Sequence, residues 1–200
     1  MKRKLLALIL YFYAVILSNY QIYSEVCTRR DLGLDTNYPN LPLNHDCDVV
    51  NLKLKSSNDK KDSLKFKDIQ IIVNLLQKYY NDDKYNDYKN NNDNIKTLIF
   101  KNNNLDDQSI KLISHLISSG LPPILSIDLV ATNISPVGLQ TLAYSLRTDN
   151  LTVTSIDLRS NTAINDKLST QCLIRSIIIN ECKGINLKII TDLKKWSYDG

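Results

Sequence analysis

Between Ser135 and Asn161 the chain reads SPVGLQTLAYSLRTDNLTVTSIDLRSN, and its apolar positions change period within that stretch. Leu139, Leu142, Ala143 and Leu146 fall three or four apart, the spacing of one helix face. Ser135 followed by Pro136 marks the start, because a serine hydroxyl satisfies free first-turn amides and proline is tolerated at the first helical position. The pattern predicts a helix over 136–147. Val153, Ile156 and Leu158 then belong to an extended segment, with Ile156 and Leu158 on one face and Ser155 and Asp157 on the other. A second helix carries Ile110, Ile113, Leu116 and Ile117, with Asp106 or Asp107 as its cap and Gly120 and Pro122 as its end. A third carries Ile69, Ile72, Val73 and Leu76, with Asp62 or Ser63 as the expected cap.

A helix and a strand joined so closely suggest a repeating unit. Ile95, Leu98, Phe100, Asn103 and Leu105 in IKTLIFKNNNL define a spacing LxxLxLxxNxL. Ile124, Ile127, Leu129, Thr132 and Ile134 follow it, and so do Val153, Ile156, Leu158, Asn161 and Ala163. The starts Ile95, Ile124 and Val153 recur at one constant interval. A fourth start is expected at Cys182, where CKGINL supplies Ile185 and Leu187. A weaker upstream copy, VVNLKLKSS, has Val49, Leu52 and Leu54. Its interval to Ile95 is too long, and the insertion QKYYNDDKYNDYKNNNDN over 77–94 accounts for the excess. That insertion is rich in Asn, Asp, Lys and Tyr, a composition that buries too little apolar surface to order itself beyond the tyrosines that finish the preceding helix.

This spacing resembles the leucine-rich repeat, and its period with the helical half GLQTLAYSL resembles the ribonuclease-inhibitor-like subclass. The resemblance implies an α/β solenoid of about four to five repeats, with a parallel sheet on the concave face and helices on the convex one. The expected layout is a signal peptide over 1–24, an N-terminal cap segment over 25–48, the solenoid over 49–190 and a tail over 191–200. Asn103 and Asn161, with Thr132 in their place between them, are expected to satisfy backbone groups where the chain leaves the strand. The resemblance also implies protein binding through outward strand residues. These include Thr97, Ile99 and Lys101, then Ser126, Asp128 and Val130, then Ser155, Asp157 and Arg159. Stacking sets Asp128 beside Asp157, with Lys101 and Arg159 in the adjoining column, so these four are the candidate protein-binding residues. Adjacent like charges are unfavourable unless compensated, either by a basic group on a partner or by Arg159 and nearby lysines. The subclass also occurs in Ran GTPase-activating proteins, which gives the alternative of an intracellular regulator of a small GTPase.

Charge and composition narrow these readings. The formal charge is +4, but Lys2, Arg3 and Lys4 supply three of those charges, which leaves no basic footprint for nucleic acid. The start MKRKLLALILYFYAVILSNY pairs that basic cluster with an apolar run from Leu5 to Leu17, the anatomy of a secretory signal. The run is shorter than the ~20 residues that span a bilayer, so cleavage is expected over an uncleaved membrane anchor. Secretion or residence in the secretory pathway follows, and a regulator of a cytosolic GTPase fits poorly with it.

Four cysteines, Cys27, Cys47, Cys172 and Cys182, form two close pairs. In an exported chain they read as disulfides within each end, against the alternative that Cys172 and Cys182 are core thiols. The two histidines, His45 and His115, stand in no nucleophile or metal motif, and no glycine-rich phosphate loop is present. The expectation is a protein that is not an enzyme and needs no metal or cofactor. Two sequons, Asn133-Ile134-Ser135 and Asn150-Leu151-Thr152, are compatible with N-glycosylation, and Pro136 makes the first the poorer acceptor.

Overall fold

In a computed structural model of the chain, residues 25–28, 47–53, 63–81, 95–120 and 122–192 are described. The expected signal over 1–24, residues 29–46 of the cap segment, residues 82–94 of the insertion and the tail beyond Asp192 lie outside them. The described residues form an α/β fold of six strands, four α-helices and one 3-10 turn. In chain order these are β1 (Glu25–Thr28), β2 (Cys47–Asn51), α1 (Phe66–Asn81), β3 (Thr97–Ile99), α2 (Asp107–Ser119), β4 (Ser126–Asp128), α3 (Pro136–Ser145), β5 (Ser155–Asp157), the 3-10 turn Thr162–Asn165, α4 (Lys167–Cys182) and β6 (Lys188–Ile190).

The strands make one sheet in sequential order, and every pair is parallel. Each crossover therefore steps the same way along the sheet, and the right-handed preference of such crossovers puts all the helices on one face. Burial agrees with that placement. In β3, β4 and β5 the central residue, Leu98, Ile127 or Ile156, is fully buried, while its two neighbours are half-exposed. Parallel sheets are ordinarily covered on both faces. Here the second face is open among the described residues.

The repeat interval seen in the sequence is a property of the sheet register. Thr97, Leu98 and Ile99 lie opposite Ser126, Ile127 and Asp128, which lie opposite Ser155, Ile156 and Asp157. Every apolar position of the three central motifs is buried, from Ile95 to Leu105, Ile124 to Ile134 and Val153 to Ala163. Each fully buried side chain of this size contributes about 1.5–3 kcal/mol relative to an exposed one. On the helix layer, α1 packs on α2, α2 on α3 and α3 on α4.

The turn after each central strand repeats as well. Asn102, Ala131 and Ser160, spaced as the strands are, adopt left-handed backbone with φ of 65°, 53° and 59°. The following residue is buried and binds backbone. Asn103 Nδ2 donates to the carbonyls of Leu52 at 2.9 Å and Phe100 at 2.8 Å, and its Oδ1 accepts from the Leu64 amide at 3.0 Å. Asn161 Nδ2 donates to the carbonyls of Leu129 at 2.8 Å and Leu158 at 3.0 Å, while Oδ1 accepts from the Ile134 amide at 3.1 Å. Thr132 Oγ1 donates to the Leu129 carbonyl at 2.7 Å. Each asparagine thus ties its own strand to the preceding unit, the role the sequence assigns it, and leaves few buried backbone groups without partners.

Both flanks depart from the expected register. Val50, not Leu52, lies opposite Leu98, so the upstream motif is displaced by two residues from the Val49, Leu52, Leu54 reading. The sheet also begins before Val49, because β1 falls within the expected cap segment. Downstream, Ser155 lies opposite Lys188, so this step is longer than the steps between β3, β4 and β5. Cys182 does not start a strand; it is the exposed last residue of α4, which runs through the position where the motif appeared to begin.

The caps explain the helix limits. Asp106, Ser135 and Asp166 each accept from the amide three residues on, and the left-handed Gly120 closes α2. A side chain at Gly120 would meet the Asn150 carbonyl at 2.3 Å. Of the two expected caps of α1, Asp62 lies outside the described residues, and Ser63 is corrected: its Oγ accepts from the Asn104 amide at 2.6 Å, while Asp68 reaches back to the Lys65 amide at 2.7 Å. The first part of the 77–94 insertion, Gln77 to Asn81, is the end of α1.

Candidate functional site

Parallel stacking turns the outward strand residues into columns. The first runs Val49, Thr97, Ser126, Ser155, Lys188, and the second runs Asn51, Ile99, Asp128, Asp157, Ile190. Asp128 and Asp157 are register partners at the ends of β4 and β5, as the spacing predicts. Lys101 follows β3 by two residues and is half-buried, whereas Arg159 follows β5 by two and is exposed. The four candidate residues therefore gather along one rim of the open face, at the C-terminal ends of the strands.

Their chemistry is not that of two loose carboxylates. Asp128 Oδ1 accepts from the Val130 amide at 2.9 Å, Asp157 Oδ1 from the Arg159 amide at 3.1 Å, and Asn51 Oδ1 from the Lys53 amide at 3.1 Å. Each side chain closes a turn onto its own backbone two residues on, which is what short Asp and Asn side chains favour at a strand end. Asp157 has a second partner. The Arg159 guanidinium grips it, with Nη2 at 2.6 Å from Oδ2 and Nε at 3.0 Å from Oδ1. That fork satisfies two oxygens at once, stronger than a single contact.

Burial pushes the Asp157 carboxyl up, but the hydrogen bonds and charge of Arg159, with Lys101 adding to them, more than offset this. It titrates below its ordinary value. The Asp157 hydrogen bonds and charge raise Arg159 in return, with smaller help from Asp192 and Asp128. Asp192 also accepts from the Ser160 amide, which pins the turn beside Arg159. The pair Asp128–Asp157 is thus compensated from within by Arg159, and among the described residues Asp128 has no ion pair of its own. Reading Asp128 and Asp157 as turn-closing residues was open to the sequence, since both occupy one position of the repeat and each stands two before a turn residue; Asn51 joins them only through the pairing of β2 with β3.

The expected disulfides fare differently at the two ends. Cys172 and Cys182 both lie on α4, nearly three turns apart, and both are free, one buried and one exposed. A helix rising 1.5 Å per residue separates them by about 15 Å, and a bridge needs Cα atoms within about 7 Å. The pairing expected there is corrected, and Cys172 is a core thiol. Cys27 lies opposite Val50 and Cys47 opposite Glu25 on adjacent strands; their side chains lie outside the described residues.

His115 is exposed on α2, and His45 lies outside the described residues. Among the described residues no group of three His, Cys, Asp or Glu side chains could hold a metal ion, and no helix is long and apolar enough to cross a membrane. The chain matches no protein-family model and none of the curated proteins it was compared with.

Proposed function

We propose that the chain is a leucine-rich-repeat solenoid of the ribonuclease-inhibitor-like type, that it enters the secretory route, and that it binds a protein partner on its open, concave sheet face without catalysing a reaction. One observation carries this reading: a parallel sheet whose second face is uncovered and lined in register by Thr97, Ser126 and Ser155 beside Ile99, Asp128 and Asp157. Hydroxyls, one half-exposed isoleucine and a charged rim on rigid strands make a surface of mixed polarity, which suits a protein partner better than a small ligand. The rim supplies the specificity. Asp128 and Lys101 are the charged groups a partner meets first, because Arg159 already holds Asp157.

The test compares partner capture by the wild type with that by a folded Asp128→Lys, Asp157→Lys double variant. Capture falls at least tenfold if the rim is in the contact, and unchanged capture removes the rim from the mechanism. N-terminal sequencing of the protein from its native source tests the address. Loss of the first ~18–24 residues supports export by the usual signal anatomy, and intact Met1 in the cytosol overturns it.

A further inference from the structure

The two sequons differ in sequence, where Pro136 follows the first, and they differ further in structure. Asn150 sits in the turn between α3 and β5, exposed, and its side-chain amide makes no hydrogen bond among the described residues. Its backbone is held without help from that amide: the Asn150 N–H donates to Thr148 Oγ1 at 3.3 Å, and Thr148 Oγ1 donates to the Ser118 carbonyl at 3.2 Å. The Asn150 Cβ and carbonyl pack over Gly120, so the side chain leaves from a fixed base. A group attached to Nδ2 meets no bond that must break.

Asn133 is exposed as well, but its backbone and its side-chain amide are held differently. Its backbone is left-handed, φ 56°, and Nδ2 donates to Asn104 Oδ1 at 2.9 Å. Asn104 is itself held by Ser63 Oγ on its amide. A sugar joined to that nitrogen would be driven into a fixed neighbour. The sequon hydroxyls do not separate the two sites: Ser135 Oγ is committed to the Asp107 carboxylate at 2.6 Å and to the Gly138 amide at 3.0 Å, and Thr152 Oγ1 donates to the Ile124 carbonyl at 3.0 Å.

We infer that Asn150 carries an N-linked glycan and that Asn133 does not. This rests on the export reading above. In the step itself, Asn150 Nδ2 attacks the anomeric carbon of a lipid-diphosphate-linked oligosaccharide. The N–C bond forms, the anomeric C–O bond to the diphosphate breaks, the lipid diphosphate leaves, and the amide proton passes to a base of the transferring enzyme. Asn150 precedes β5 whereas Asp128 and Asp157 end their strands. The glycan therefore projects from the rim where the chain enters the sheet and leaves the candidate contact rim clear.

The full chain is expressed in a eukaryotic cell that glycosylates asparagine, once with its own N-terminus and once with residues 1–24 replaced by a proven secretion leader. Expected in both arms is a single glycan removed by peptide N-glycosidase, lost in N150Q, retained in N133Q, with deamidation by the enzyme mapped to Asn150. Secretion with no sugar, or with sugar on Asn133, overturns the inference and leaves the export reading standing. If the natural chain stays in the cytosol, both fall together. The arm with the replaced leader then shows whether the site itself was competent.

Discussion

The unit from β4 to β5 and the unit from β5 to β6 build the same strand–helix–strand connection from different materials. The first takes the regular step, from Ser126 to Ser155, with a ten-residue helix. The second takes a longer one, from Ser155 to Lys188, with a 3-10 turn and a sixteen-residue helix. Between α2 and α3 the buried side chains are mainly apolar, Ile110, Ile113, Leu116 and Ile117 with Leu139, Leu142 and Ala143. Between α3 and α4 a polar row runs along the contact. Ser169 Oγ reaches the Pro136 carbonyl at 3.0 Å, Ser176 Oγ the Ala143 carbonyl at 2.5 Å, Asn180 Nδ2 the Leu146 carbonyl at 2.7 Å and Lys183 Nζ the Arg147 carbonyl at 2.8 Å. The last turn of a helix leaves carbonyls without partners, and the longer α4 extends past α3 to meet them. The sheet register demands the repeat; the helix layer accepts either solution.

The contrast is broken most directly in the core. Leu129 is fully buried in the central stack, so Leu129→Asp unfolds the protein at ambient temperature, because a buried unpaired carboxylate costs many kcal/mol. Ile189, only partly buried at the last strand, tolerates the same change with a lowered melting point. Circular dichroism melts of the two variants separate the cases, and equal losses would contradict the comparison.

The buried amides give the next effect. Asn161→Ala strands the Leu129 and Leu158 carbonyls and the Ile134 amide, a loss of at least about 3 kcal/mol in denaturant titration. Asn180→Ala costs about 1–2 kcal/mol, since its Oδ1 has no partner to lose. A smaller gain is expected at the left-handed turn. Ala131→Gly relieves a Cβ clash worth about 1–2 kcal/mol and gives back part of it as unfolded-state freedom, a net stabilisation of about 0.5 kcal/mol.

Acid titration gives the smallest effects. The folded Asp157 carboxyl titrates below its ordinary 3.8, so its contribution is complete above that value and fades as pH falls through the lower folded one. Asp157→Asn therefore flattens the acid limb of the stability profile below about pH 4. Asp149, whose side chain is 93% exposed in its pair with Lys183, leaves the melting temperature unchanged when made Asn.

The same contrast governs what the chain discloses about itself. In the central units each apolar motif position is buried and each turn position holds Asn or Thr, so the motifs from Ile95 to Ala163 could be read directly; Val130, read as an outward residue, is instead buried, and so are Ser109 and Ser114 on α2. At the flanks the pattern misleads for physical reasons. CKGINL imitates a strand start, but α4 continues through Cys182, with Ser176 and Asn180 bonded to carbonyls of the preceding unit, and the strand forms later than the period places it. VVNLKLKSS offers apolar residues in two frames, and only pairing with Leu98 selects Val50. At the candidate site the spacing gives the Asp128–Asp157 adjacency. It does not give the fork from Arg159, because an i, i+2 pair across a strand end meets only where the turn brings the guanidinium back.

Photo-crosslinking from single positions tests the central claim, binding at the open sheet face. A diazirine-bearing residue is placed at Ser126 or Ser155 on that face, or at Lys111 or Gln171, which are exposed on the helix layer. The protein is then irradiated in extracellular material from its native source. The account predicts that Ser126 and Ser155 yield one common protein adduct and that Lys111 and Gln171 do not. An adduct formed from the helix positions with none from the sheet would contradict it.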